Sequence, residues 1–176
     1  MVGRRTVAVF AFVALAVLVA AGINMGRVTY ADIQQTVDQA WGTLPSMIVS
    51  QAIDGDTIEL VDGTRVRYIG MNSPELNTGR GTPECLATAA KKANASMVEG
   101  KTVVLEHDVD KQDHYGRDLA YVWLDGEMVN EQLVADGYAS IDVVAPNIKY
   151  AERLQAAEQQ ARDQKVGLWA AGACAN

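Results

Sequence analysis

The chain is poor in several residue types that small functional sites draw on. It holds two cysteines, two histidines and four prolines in 176 residues. His107 and His114 have no Cys or His neighbours at zinc spacing, which removes an ordinary zinc centre. Aromatic residues make up 6% of the chain, and Trp123 and Trp169 read as core rather than as stacking platforms for bases. Basic charge is also short. Residues 44–176 carry 12 Lys and Arg against 20 Asp and Glu, a net charge of -8. That balance argues against broad adhesion to nucleic acid, which needs a basic surface. It leaves room for a local site where a divalent cation supplies the positive charge.

Long apolar runs are missing with one exception. Residues 6–23 are uncharged and mostly apolar, and Arg4 and Arg5 precede them. The run is apolar on every face, so a buried core helix is a poor reading. Residues 1–24 are expected to be a signal peptide or a membrane anchor, with the following chain outside the cytoplasm. The chain would then be secreted, or held at the membrane through residues 6–23. Residues 25–45 read as a linker, and residues 46–176 as one domain. In an exported chain Cys85 and Cys174 can form one disulfide. It would close a loop of about 90 residues, worth roughly 4 kcal/mol in the chain-entropy model. Two unpaired thiols are the alternative.

What the sequence does have is concentrated in residues 54–75, DGDTIELVDGTRVRYIGMNSPE. Ile58 and Leu60, then Val66 and Tyr68, alternate with more polar neighbours and predict two strands. Asp62-Gly63 between them favours a tight hairpin turn. The hairpin would bring Asp56 on one flank toward Asn72, Ser73 and Glu75 on the other, beside Arg67. Oxygen ligands, a carboxylate and an arginine together suit a hard-metal phosphodiester site.

Further elements follow from pattern. Residues 47–53 read as a first strand. Residues 76–82 read as a Gly-rich surface loop. Thr82-Pro83 predicts a helix start, with Thr82 as cap and Pro83 at the first position. Its expected buried stripe is Leu86, Ala89, Ala90, Ala93 and Met97, and Gly100 ends it. Residues 102–106 and 119–124 read as strands, and residues 128–136 as a helix. Asn147 is expected to cap a last helix with an apolar face of Ala151, Leu154, Ala157 and Ala161. Five strands and about three helices fit an α+β fold around a five-stranded OB-fold barrel, preceded by the N-terminal apolar signal or anchor helix.

In order along the chain, Asp54-Gly55-Asp56-Thr57, Arg67, Ser73-Pro74-Glu75, Asp113-His114-Tyr115-Gly116-Arg117, Asp125-Gly126, Met128-Val129-Asn130-Glu131 and Gly167-Leu168-Trp169 resemble the thermonucleases, or staphylococcal-nuclease-like domains. The resemblance covers roughly residues 46–170. It implies calcium-dependent hydrolysis of phosphodiester bonds in DNA and RNA, with 3′-phosphate products. Carried over by position, Asp56 matches a calcium-ligand aspartate, Asn72 falls where the best-known members have a second one, and Ser73 falls where a backbone carbonyl binds the ion. Glu75 matches the carboxylate that activates water. Arg67 and Arg117 match the phosphate-binding arginines, and Tyr115 is a candidate substrate contact. The chain departs from the pattern twice. Asn72 is neutral, which should weaken metal affinity. Residues 142–146 lack the tyrosines that pack against nucleotide in the best-studied members.

Each of these residues also has an ordinary reading. Asp54 and Asp56 can be turn aspartates about Gly55, Glu75 a solvated loop carboxylate, and Arg67 a strand arginine paired with a nearby acid. Asp113 is expected to support the Tyr115-Gly116-Arg117 turn rather than bind metal. The whole set in order favours a site. The alternative function is a catalytically weak or inactive nuclease-fold module that binds nucleic acid or protein, tethered at the membrane. Nothing in the sequence points to an obligate oligomer.

Overall fold

The structure is a computed structural model that describes residues 46–77, 79 and 81–174. The expected signal or anchor segment (1–24) and the linker up to residue 45 lie outside the described residues. Among the described residues no helix is long and apolar enough to cross a membrane.

Strands β1 (Ser46–Ala52), β2 (Thr57–Leu60) and β3 (Arg65–Tyr68) form an antiparallel meander. β4 (Gly70–Asn72) follows, then helix α1 (Ala87–Val98), β5 (Thr102–Glu106), β6 (Asp118–Leu124) and β7 (Glu127–Met128). Helix α2 (Val129–Ala135), β8 (Ser140–Asp142), helix α3 (Ala151–Gln164) and a 3-10 turn (Gly167–Trp169) complete the chain. β5 pairs with both β1 and β6. β6 then pairs in parallel with β3, Val66 opposite Asp118 and Tyr68 opposite Ala120. That pairing closes β1, β2, β3, β6 and β5 into a five-stranded barrel, as expected from the order of elements. β4 and β8 form a separate two-stranded ribbon.

The barrel interior comes from the period of two. Ile58 and Leu60 on β2, Val66 and Tyr68 on β3, Val103 and Leu105 on β5, and Ala120 and Val122 on β6 are all buried. Each large aliphatic among them contributes about 1.5–3 kcal/mol by leaving water. Ile58 lies directly opposite Val66. The turn between β2 and β3 forms as predicted. Gly63 has φ +87, and Asp62 Oδ1 accepts the Thr64 N–H at 2.9 Å.

The start of α1 differs from expectation. The helix begins at Ala87, with Leu86 at φ 65 as its flanking residue, rather than at Thr82-Pro83. Residues 84 and 85 are already committed elsewhere. Glu84 pairs with Glu75, and Cys85 is bonded to Cys174. The buried stripe shifts accordingly to Ala87, Ala90, Asn94 and Val98. Asn147 is not a helix cap either. Its Oδ1 accepts the Asp110 N–H at 2.8 Å and its Nδ2 donates to Asp110 O at 2.9 Å, while α3 starts four residues later. The apolar face of α3 is as expected at Leu154, Ala157 and Ala161, with Glu158 buried beside them.

Candidate active site

The loop between β1 and β2 carries Asp54, Gly55 and Asp56 into the barrel wall. A Cβ on Gly55 would sit 2.6 Å from Ser73 Cβ and 2.8 Å from Ala90 Cβ, so only glycine lets this loop approach β4 and α1. Asn94 fixes the loop from the helix side. It is fully buried, donates from Nδ2 to Asp54 O at 3.0 Å, and accepts the Tyr68 hydroxyl at 2.9 Å.

Asp56 is 3% exposed and faces the segment after β4. Its Oδ2 accepts the Ser73 N–H at 2.6 Å, and its Oδ1 accepts the Thr57 hydroxyl at 3.2 Å. The same Oδ1 lies 3.2 Å from Arg67 Nε, an ion pair with little solvent around either side chain. Arg67 also donates to Tyr68 O and Met71 O, both at 2.8 Å, and to Asn72 Oδ1 at 2.9 Å. One guanidinium therefore ties the β2–β3 hairpin to the end of β4. Burial pushes the Asp56 carboxyl above its ordinary pKa. Arg67 opposes that shift, nearby Asp54 adds to it, and the Ser73 N–H opposes it.

Arg117 comes from the other side of the barrel closure, one residue before β6. Asp113 builds its turn. Asp113 Oδ1 accepts the N–H groups of Tyr115 (2.9 Å) and Arg117 (3.0 Å), and its Oδ2 takes Arg117 Nε at 2.7 Å. Burial acts to raise the Asp113 carboxyl. The hydrogen bonds from Arg117 and from the two backbone N–H groups outweigh it and hold the pKa below the ordinary value. The expected supporting role of Asp113 is what the structure shows. Tyr115 is 75% exposed, with the Arg117 guanidinium 5.5 Å from its ring centre.

Arg67 and Arg117 line one cleft of about 330 Å³, together with Met71, His114, Asp142 and Val144. Tyr115 lines a neighbouring cleft of about 700 Å³ that shares Arg117. Glu75 is exposed two residues beyond Ser73. The structure thus brings Asp56, Arg67, Asn72 and Ser73 into direct contact. It adds Arg117 through the shared cleft and sets Glu75 on the adjoining loop. The Cys85–Cys174 disulfide is formed, with Cα atoms 5.6 Å apart.

Among the described residues no three His, Cys, Asp or Glu side chains gather as a metal cage. The candidate donors are of another kind: one carboxylate (Asp56), one amide oxygen (Asn72) and one backbone carbonyl (Ser73). All are hard oxygens, and burial still raises the Asp56 carboxyl above its ordinary pKa although Arg67 lies beside it, so further positive charge would be favoured there. Such a set fits a hard divalent ion whose remaining positions are filled by water, and does not fit a thiophilic one.

Three structural roles escaped the sequence reading, although Asn130 stands within one of the family motifs. Asn94 and Asn130 interrupt otherwise apolar helix faces, and that interruption is a usable signal. Asn130 is fully buried, accepts the Val122 N–H at 2.9 Å, and donates to Ile69 O at 3.0 Å, just ahead of β4. Glu84 carried no signal beyond its place next to Cys85.

Comparison with known proteins agrees with this geometry. The family model for staphylococcal nuclease homologues matches residues 65–171. The chain is 38% identical over 124 residues to the Thermonuclease of Staphylococcus hyicus, covering 69% of this chain and 73% of that protein. It is 36% identical over 127 residues to the Thermonuclease of Staphylococcus intermedius, with 70% and 76% covered. It is also 36% identical over 131 residues to Endonuclease YncB of Bacillus subtilis (strain 168), covering 72% of this chain and 62% of that protein's length. With its family motifs in order on a closed barrel, the chain belongs to the staphylococcal nuclease homologues.

Proposed function

We propose that the chain is an exported nuclease that hydrolyses phosphodiester bonds of DNA and RNA with calcium as its cofactor. One observation carries the reading: Arg67 binds Asp56 and Asn72 while lining a cleft with Arg117. Paired guanidinium groups beside buried oxygen donors have the composition needed to receive a phosphodiester.

The roles follow from chemistry. A phosphodiester resists attack because it is anionic and its leaving group is poor. Arg117 is held by Asp113 through Nε and offers its η nitrogens to the phosphate oxygens, where charge builds in the transition state. Arg67 is held by backbone carbonyls and adds positive charge from a fixed position. Glu75 takes the proton of the attacking water. The water oxygen bonds to phosphorus as the bond to the 5′ oxygen breaks, and that oxygen takes a proton from solvent, leaving a 3′-phosphate and a 5′-hydroxyl. Asp56, Asn72 and the Ser73 carbonyl would hold calcium, which when bound neutralises phosphate charge and orients water. With one carboxylate among three donors, affinity for the ion should be modest. Tyr115 offers an exposed ring for contact with nucleotide.

The test is to incubate the purified chain with DNA and with RNA, in calcium and in excess chelator. Cleavage in calcium that stops on chelation, with 3′-phosphate ends, is the expected result. Cleavage that persists in chelator overturns the metal role. Binding without cleavage favours a non-catalytic module. Export would proceed through residues 6–23, and the mass of the mature N-terminus tells cleavage from anchoring.

A further inference from the structure

Glu75 has an exposed side chain and opens a Gly-containing surface loop, which is a poor place to hold a reactive group still. Its backbone, however, is gripped on both sides by one residue. The Glu75 N–H donates to Glu84 Oε2 at 2.9 Å, and the Glu84 N–H donates to Glu75 O at 2.8 Å. These two bonds join Glu75 directly to Glu84. Glu84 is exposed, but its backbone is anchored. Its carbonyl accepts the Ala87 N–H at 3.1 Å, where α1 begins with the buried Ala87 and Ala90. Its neighbour Cys85 is tied to Cys174. The preceding residue on the Glu75 side, Pro74, is buried, and Ser73 is bonded to Asp56. Glu84 thus transmits the fixed position of α1 to the one site residue that stands on a loop.

We infer that Glu84 is the positioning residue for Glu75: its carboxylate holds the Glu75 backbone where the Glu75 side chain can meet the attacking water. The inference rests on the reading of Glu75 as proton acceptor. It assigns Glu84 no contact with substrate. A side chain that acts by placement alters turnover more than binding, because Arg67 and Arg117 still receive the phosphate.

Three variants separate this from a merely structural role. Glu84→Ala removes the acceptor, Glu84→Asp shortens its reach by one methylene, and Glu84→Gln keeps an acceptor oxygen at full length. With saturating calcium, Glu84→Ala and Glu84→Asp should lower kcat by about 10–100-fold with KM little changed, and Glu84→Gln should recover most of the loss. Amide hydrogen exchange at Glu75 should quicken in Glu84→Ala and stay protected in Glu84→Gln, a readout that needs no turnover. In a Glu75→Gln background, Glu84→Ala should cost nothing further. If Glu84→Ala lowers the melting temperature, Glu84→Asp at a temperature where it is folded carries the comparison. Wild-type kcat in Glu84→Ala, with Glu75→Gln inactive, overturns the role of Glu84 and leaves Glu75 standing. Wild-type kcat in Glu75→Gln overturns the reading of Glu75 and the role of Glu84 with it.

Discussion

Replacing Asp56 with alanine perturbs stability and cation binding at once, and the two can be measured in one experiment. Asp56 is 3% exposed and its partner Arg67 has a side chain 14% exposed, so water screens the pair poorly. Removing one member of a buried pair costs about 3–5 kcal/mol. The Ser73 N–H also loses its acceptor, and an orphaned buried donor costs about 1–3 kcal/mol. Two effects act in the opposite direction. Burial holds the Asp56 pKa high, so its removal relieves the cost of keeping that carboxylate charged. Arg67 also keeps three other acceptors, in Tyr68 O, Met71 O and Asn72 Oδ1. The balance is about 3 kcal/mol of destabilisation. With a urea slope near 2 kcal/mol per molar, the unfolding midpoint should fall by about 1.5 M.

The same titration in calcium adds a second comparison. Ligand at 100 times its dissociation constant stabilises a folded chain by about 2.7 kcal/mol, so the wild-type midpoint should rise with calcium and that of Asp56→Ala should not. The pH dependence has a definite sign. A carboxyl whose folded pKa is raised contributes most below its ordinary value, and the contribution is lost as pH climbs through the raised one. The calcium increment should therefore grow over that window. A variant that unfolds at the wild-type urea concentration refutes the ion-pair account. An equal calcium shift in both proteins refutes Asp56 as a ligand.

Asn130→Ala should orphan the Val122 N–H and the Ile69 carbonyl inside the fold, costing about 2–5 kcal/mol, which thermal melting would register. The paired change of Cys85 and Cys174 to serine should lower stability by roughly 4 kcal/mol, and wild type unfolded in reductant should match it. Asp113→Asn should lower stability at neutral pH and flatten the acid side of the stability profile. The wild-type advantage is present above the ordinary aspartate value and is lost as pH falls through the depressed one, so the two denaturation curves should converge in acid. Turnover of that variant at neutral pH should also drop, because Arg117 loses its Nε anchor.

The β2–β3 hairpin was legible in the sequence because its signals are local: alternation of Ile58, Leu60, Val66 and Tyr68, and an Asp-Gly turn. The convergence of Asp56 with Asn72 and Ser73 followed from that hairpin. The start of α1 was not legible, because Thr82-Pro83 is a good local signal overruled by two long-range commitments, Glu84 to Glu75 and Cys85 to Cys174. Asn147 shows the same effect. It has the chemistry of a helix cap, yet it pairs with the backbone of Asp110, 37 residues away in sequence. Asn94 and Asn130 are hydrogen-bond bridges between elements, and a single sequence does not reveal which backbone groups their amides will reach.

The parallel pairing of β3 with β6 has a consequence for timing. Val66 and Asp118 are far apart along the chain, and a contact of that kind forms only after the intervening loop entropy has been overcome. Arg67 lies on β3 and Arg117 immediately precedes β6, so the two residues come to line one cleft only when these strands join. During synthesis, β3 emerges from the ribosome well before β6. A growing chain carries the first arginine but has no cleft in which to use it. The proposed hydrolytic activity therefore waits on barrel closure, the last pairing that the barrel topology requires.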